Sequence, residues 1–80
     1  MKTFTYNLGK NTKLKLERGI GFEVVMKAVI EGRYKVARVK SKNHPDQKCF
    51  LFKYNDVYWI APFTEHKYSY HLHTIFRREL

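Results

Sequence analysis

Lys10 to Glu23, KNTKLKLERGIGFE, spells the body of a short basic helix, a glycine stop and the start of a second helix. Asn7 suits an N-cap, Leu8 to Arg18 can hold helical dihedrals, and Gly19 falls where a left-handed C-terminal residue is needed. Ile20, ahead of a Gly21 N-cap, stands at N′ opposite Val25 at N4, the staple arrangement that sets the entry angle of a following helix. Leu14 and Leu16 lie about 200° apart on a helix, so one of them has to remain exposed. In the second helix Phe22, Val25, Met26, Val29 and Ile30 form an apolar stripe, with Gly32 as its stop. That stripe needs a sheet to cover.

The flanking segments supply strands. Phe4 and Tyr6 alternate with Thr3, Thr5 and Asn7, giving the period of a half-buried strand. Tyr34 to Lys40 is rich in valine and reads as a second strand, and Ser41 to Gln47 as a loop. Lys48 to Tyr54 and Val57 to Phe63 flank Asn55-Asp56, two residues that tolerate the positive φ angles of a type I′ hairpin turn. Pro62 cannot donate to a ladder, which places it near the strand's end or at an unpaired edge. Thr64 to Lys67 turns the chain into a last strand, Tyr68 to Arg77, with His71, His73, Ile75 and Arg77 on one face and Tyr70, Leu72, Thr74 and Phe76 on the other. The expected fold is one α+β domain over residues 1–80, β-α-α-β-β-β-β, with both helices on one face of an antiparallel sheet.

The pattern from the leading strand through Glu23 resembles the BrnT-like branch of the RelE superfamily of bacterial toxins, whose members commonly read K-N-x-x-L-K-x-E-R-G-I-x-F-E. Lys10, Asn11, Leu14, Lys15, Glu17, Arg18, Gly19, Ile20, Phe22 and Glu23 match; Leu16 stands at a usually polar position. A second stretch of likeness covers His44-Pro45, Gln47-Lys48, Tyr58 to Phe63 and His73-Thr74-Ile75-Phe76. Near the C-terminus the family usually has Lys-Thr-Ile-Ile-Pro-Ser-Arg, so here His73 replaces a lysine and the Pro-Ser step is missing. The resemblance implies a ribonuclease toxin that cuts RNA, mRNA first, and arrests translation until a cognate antitoxin protein covers it.

Composition agrees with an anionic partner. Sixteen Lys and Arg against seven Asp and Glu give a formal charge of +9, which points to nucleic acid first, an acidic protein second and an anionic membrane third. No apolar run approaches the roughly 18 residues of a membrane span, and Met-Lys-Thr leads into a strand rather than an apolar signal core, so a soluble cytoplasmic protein is expected. Cys49 is the single cysteine and lies in an apolar strand, where packing is its expected role.

Metal-free RNA cleavage needs a base for the 2′-hydroxyl proton, an acid for the 5′-oxygen and cations for the phosphorane. His73, Arg77 and, as the alternative base, His71 are the candidate catalytic residues, expected on one strand face. An imidazole exchanges protons near neutral pH while arginine stays charged. As structural alternatives, the histidines are solvated strand residues, or a His-x-His pair joins His66 or His44 in holding zinc; with no Cys or acidic cluster to complete a tetrahedral set, neither metal nor cofactor is expected. Lys10, Arg18, Arg38, Lys48 and Arg78 are the candidate RNA-binding residues. Lys10, Lys13, Lys15 and Arg18 make the first helix a cationic rod with one internal pair, Lys13 to Glu17, and Arg18 also suits the negative end of the helix dipole. Arg33, Lys35, Arg38, Lys40 and Lys42 form a second basic run, and up to two of Tyr54, Tyr58, Trp59, Tyr68 and Tyr70 are available to stack bases. A non-catalytic RNA- or ribosome-binding module uses the same features without cleavage, and a small subunit of a larger complex is a third class.

Overall fold

A computed structural model describes residues 2–39 and 47–78, so the expectations for Lys40, Lys42, His44 and Pro45 lie outside the described residues. Chain order is β1 (Thr3–Thr5), α1 (Leu8–Arg18), α2 (Phe22–Ile30), β2 (Lys35–Val39), β3 (Gln47–Tyr54), β4 (Val57–Glu65), β5 (Ser69–Leu72) and β6 (Phe76–Arg77). The class is α+β, with a leading strand, two helices and a strand meander in one sheet.

The helical joint follows its sequence closely. The Asn7 side chain accepts the Lys10 N–H at 2.9 Å, and Gly19 sits at φ 70° with its N–H donating to Lys15 O. Ile20 and Val25 are both buried in the same core cluster. Leu14 is buried and Leu16 is 83% exposed, so the helix presents one leucine inward. At the end of α2, Gly32 at φ 74° lets Arg33 N–H reach Ala28 O and Gly32 N–H reach Val29 O, the paired bonds of a Schellman cap. The stripe differs at its end: Ala28 is buried, whereas Ile30 in the final turn is 61% exposed.

Strand order is β1-β5-β4-β3-β2, with β6 pairing β4 beyond β5. The expected all-antiparallel sheet is mixed: β1 runs parallel to β5, in register Phe4 to Tyr70, while the other neighbours are antiparallel. The two helices carry the chain from β1 at one edge to β2 at the other, and the antiparallel β2–β5 meander brings it back beside β1 in the same direction. Asn55 (φ 52°) and Asp56 (φ 62°) form the tight turn of the β3–β4 hairpin.

The expected last strand is broken, and β4 shows why. His73 N–H donates to Pro62 O, and because the N–H and C=O of one strand residue point the same way, the donor that Pro62 lacks belongs to this same side. Pairing stops at Leu72 opposite Phe63 and resumes at Phe76 opposite Ile60. Between them Ile75 turns into the core, fully buried, instead of sharing a face with the histidines.

Alternation assigns the two sheet faces. Phe50, Phe52, Ala61, Phe63 and Leu72 point towards the helices and meet Leu14, Phe22, Val25 and Ala28. Phe50 and Phe63 stack with ring centroids 3.9 Å apart, and Tyr70 meets both edge-on, so Tyr70 belongs to the core rather than to a stacking surface. Tyr54 and Trp59 also pack against the core, leaving Tyr58 and Tyr68 exposed among the tyrosines considered for stacking. The opposite face carries Leu51, Lys53, Tyr58, Ile60, Thr64 and His71 by the same alternation.

Candidate nucleic-acid interface

Two chemically distinct ends develop on the helix-free face. At one end β1, β4 and β5 bring together Thr5, Thr64, His71 and His73. Thr5 Oγ1 lies 2.7 Å from His71 Nδ1 and Thr64 Oγ1 lies 2.6 Å from His73 Nε2; a hydroxyl can donate to or accept from an imidazole nitrogen, so these bonds fix ring orientation for either tautomer. The two rings meet edge to face with centroids 5.1 Å apart. His73 is exposed and His71 half-buried, so neither imidazole is sealed in the interior.

The other end is a cleft of about 440 Å³ whose lining includes Arg33, Tyr34, Lys35, Lys53, Tyr58 and Arg78. Lys35 pairs with Leu51 across β2–β3, Lys53 pairs with Tyr58 across β3–β4, and Arg78 N–H donates to Tyr58 O, so four separate segments deliver these groups. Arg33 is held by Glu31 at 2.6 Å and Lys53 by Asp56 at 3.9 Å, while Lys35 and Arg78 have no carboxylate partner among the described residues. Lys53 Nζ also lies 5.8 Å from the Tyr58 ring centre. Exposed tyrosines among cations are the combination that grips single-stranded nucleic acid, rings for bases and cations for phosphates.

The expected triad is not assembled. His71 pairs with Thr64, whereas Arg77 pairs with Trp59 five residues away along β4, a separation of roughly 16 Å at about 3.3 Å per residue, and on the helix-facing side. The candidate RNA-binding residues are likewise dispersed. Arg18 donates from its guanidinium to Ile75 O, which anchors α1 to the turned-in segment between β5 and β6. Lys10 is half-buried near the start of α1, and Arg38 pairs with Lys48 in the β2–β3 ladder. Lys48 shares Glu65 with Lys2, and hydrogen bonds from Lys2 first and Lys48 second hold that carboxyl below its ordinary range. Of the five, only Arg78 lines the cleft. Lys53 and Tyr34 are the cleft residues that the sequence did not single out, whereas Lys35 was visible as part of the second basic run; the signal for Lys53 lay in the hairpin register, which sets it beside Tyr58.

Cys49 is buried, and burial pushes its thiol above the ordinary range, consistent with packing. Among the described residues no three His, Cys, Asp or Glu side chains converge as a metal site, and no helix is long and apolar enough to cross a membrane. Comparison of the chain with protein-family models, curated proteins and solved structures finds no match.

Proposed function

We propose that this chain is a small metal-independent ribonuclease of the toxin type, acting in the cytoplasm, held in check by an antitoxin protein and receiving single-stranded RNA on the helix-free face of its sheet. The observation that carries the reading is the His71–His73 ring pair, 5.1 Å between centroids and oriented by Thr5 and Thr64, on the same face as the cationic tyrosine cleft. The likeness of the Lys10–Glu23 stretch to BrnT-like toxins supports the same class.

In this mechanism one imidazole takes the proton of a ribose 2′-hydroxyl as its oxygen attacks the adjacent phosphorus. The second imidazole, protonated, delivers a proton to the departing 5′-oxygen, so the strand ends in a 2′,3′-cyclic phosphate and a new 5′-hydroxyl with no water or metal consumed. His73, the more exposed ring, and His71 fill these two roles. The cleft, about six residues further along β4 or roughly 20 Å, holds phosphates and stacked bases of the same strand.

A second reading, a non-catalytic RNA- or ribosome-binding module, draws on the position of Arg77, which is set apart from the imidazoles and leaves the phosphorane without the guanidinium expected beside them. Labelled mRNA incubated with the purified protein in chelator, with and without ribosomes, decides between them. Discrete cleavage supports the nuclease; intact RNA in both cases with salt-sensitive binding supports the module.

A further inference from the structure

A cavity of about 450 Å³ opens on the helix-facing side, lined by Glu17, Arg18, Trp59, Phe76 and Arg77. It has one indole, Trp59, and two guanidiniums. Trp59 is fixed by its Nε1–H donating to Tyr54 O at 3.2 Å, and Arg18 by its bond to Ile75 O, so these two lining residues are held before anything binds. The carboxylate in the lining, Glu17, is already turned towards Lys13 at 3.8 Å, whereas Arg18 and Arg77 have no carboxylate partner among the described residues.

We propose that this cavity is a docking pocket for an acidic peptide segment of a protein partner, with an apolar side chain against Trp59 and neighbouring carboxylates held by Arg77 and Arg18. Guanidinium forks match carboxylates in two parallel hydrogen bonds. Phosphates share that chemistry, but a nucleic-acid strand needs a track of several cations along its backbone, and here two guanidiniums stand beside a single indole. Charge complementarity therefore favours a peptide that brings one or two carboxylates around an apolar anchor. The pocket faces away from the histidines, and the claim does not rest on RNA cleavage.

Trp59 is the only tryptophan in the sequence, so its emission reports on this pocket directly. The full-length protein is titrated with a synthetic peptide alternating glutamate and leucine, with inorganic phosphate and with oligouridylate. The expected result is a saturable emission change with the peptide, weakened roughly tenfold or more in Arg77→Gln, partly recovered in Arg77→Lys and nearly unaffected in the equally charge-reducing Lys27→Gln. The claim is overturned if the peptide gives no saturable change, if Arg77→Gln and Lys27→Gln weaken binding equally, or if phosphate or oligouridylate saturates the signal at lower concentration than the peptide. Circular dichroism of each variant separates loss of the pocket from loss of the fold, and if Arg77→Gln does not fold, Arg77→Lys compared with Lys27→Gln makes the same distinction.

Discussion

Asn11 Oδ1 accepts the backbone N–H of Phe22 at 2.7 Å, across the turn between the two helices. The same side chain donates from Nδ2 to Glu23 at 2.8 Å, and Lys15 pairs with Glu23 at 2.9 Å. Asn11 is the one buried polar side chain among the described residues, and it satisfies the orphan N–H of Phe22, the first residue of α2. The Lys10–Glu23 stretch is thus largely a clasp: Asn11, Lys15, Gly19 and Glu23 build the joint, and Arg18 ties it to Ile75.

Asn11→Ala removes the acceptor for a buried N–H and is expected to destabilise the fold by about 1–3 kcal/mol. Urea denaturation at neutral pH measures it. A loss below about 0.5 kcal/mol contradicts the clasp, since that is within the range of an indifferent surface change.

The two glycines of the joint are predicted to fail for different reasons. A Cβ on Gly21 meets Glu23 Oε1 and Lys15 Cε at 2.5 Å and Asn11 Oδ1 at 2.9 Å, so Gly21→Ala pushes the clasp apart. A Cβ on Gly19 meets nothing within 4 Å, and Gly19→Ala costs only the strain of its left-handed backbone, about 1–2 kcal/mol. In thermal melts, Gly21→Ala combined with Asn11→Ala should lose less than the sum of the single changes, whereas Gly19→Ala with Asn11→Ala should add.

Acid is expected to loosen the same joint. Partial burial alone raises the Glu23 carboxyl, but hydrogen bonds from Lys15, its own backbone N–H and Asn11, with the charge of Lys15, together hold it below its ordinary value of 4.5. A carboxyl depressed in the folded state stabilises the fold above its unfolded pKa, and that contribution disappears as pH falls through the depressed folded value. Stability measured from about pH 6 downwards should therefore decline below about pH 4.5, and Glu23→Gln should flatten that decline. An unchanged slope in Glu23→Gln counts against the pairing.

Much of the fold was legible because its determinants are local. Asn7, Gly19, Gly32 and the Asn55-Asp56 turn each act within a few residues, and each appears where its own chemistry requires. That one of Leu14 and Leu16 faces outward follows from helical geometry alone, and the packing of α1 makes it Leu16. The broken last strand was not legible in the same way, because its cause is the missing donor of Pro62 in the neighbouring strand, and a period-two reading carries Ile75 and Arg77 onto the wrong face. The same error assembled a triad from His71, His73 and Arg77; the histidines do meet, but Arg77 joins Trp59 and Arg18 instead. Arg33 and Lys35 were visible as a basic run, whereas Lys53 and Arg78 join them only through strand register.

The cleft yields a binding prediction that avoids the histidines. Lys35→Gln and Lys53→Gln should each weaken binding of a single-stranded RNA and reduce the slope of log affinity against log salt by about 0.7, the value for one phosphate contact to a single strand. Lys48→Gln, whose ammonium is engaged with Glu65, should leave the slope nearly unchanged. Fluorescence anisotropy over a salt series reads both; equal effects of all three substitutions point to diffuse charge instead of a cleft.

If the paired imidazoles break RNA by internal attack of the 2′-oxygen, the chemical identity of the new 3′ end records it. In chelator, the wild-type protein is predicted to leave a 2′,3′-cyclic phosphate, His71→Asn and His73→Asn each to slow cleavage by roughly a hundredfold or more, and a substrate with 2′-deoxyribose at the cleavage position to survive intact. A 3′-hydroxyl end, cleavage of the deoxy substrate, or full activity in the double histidine variant contradicts the account.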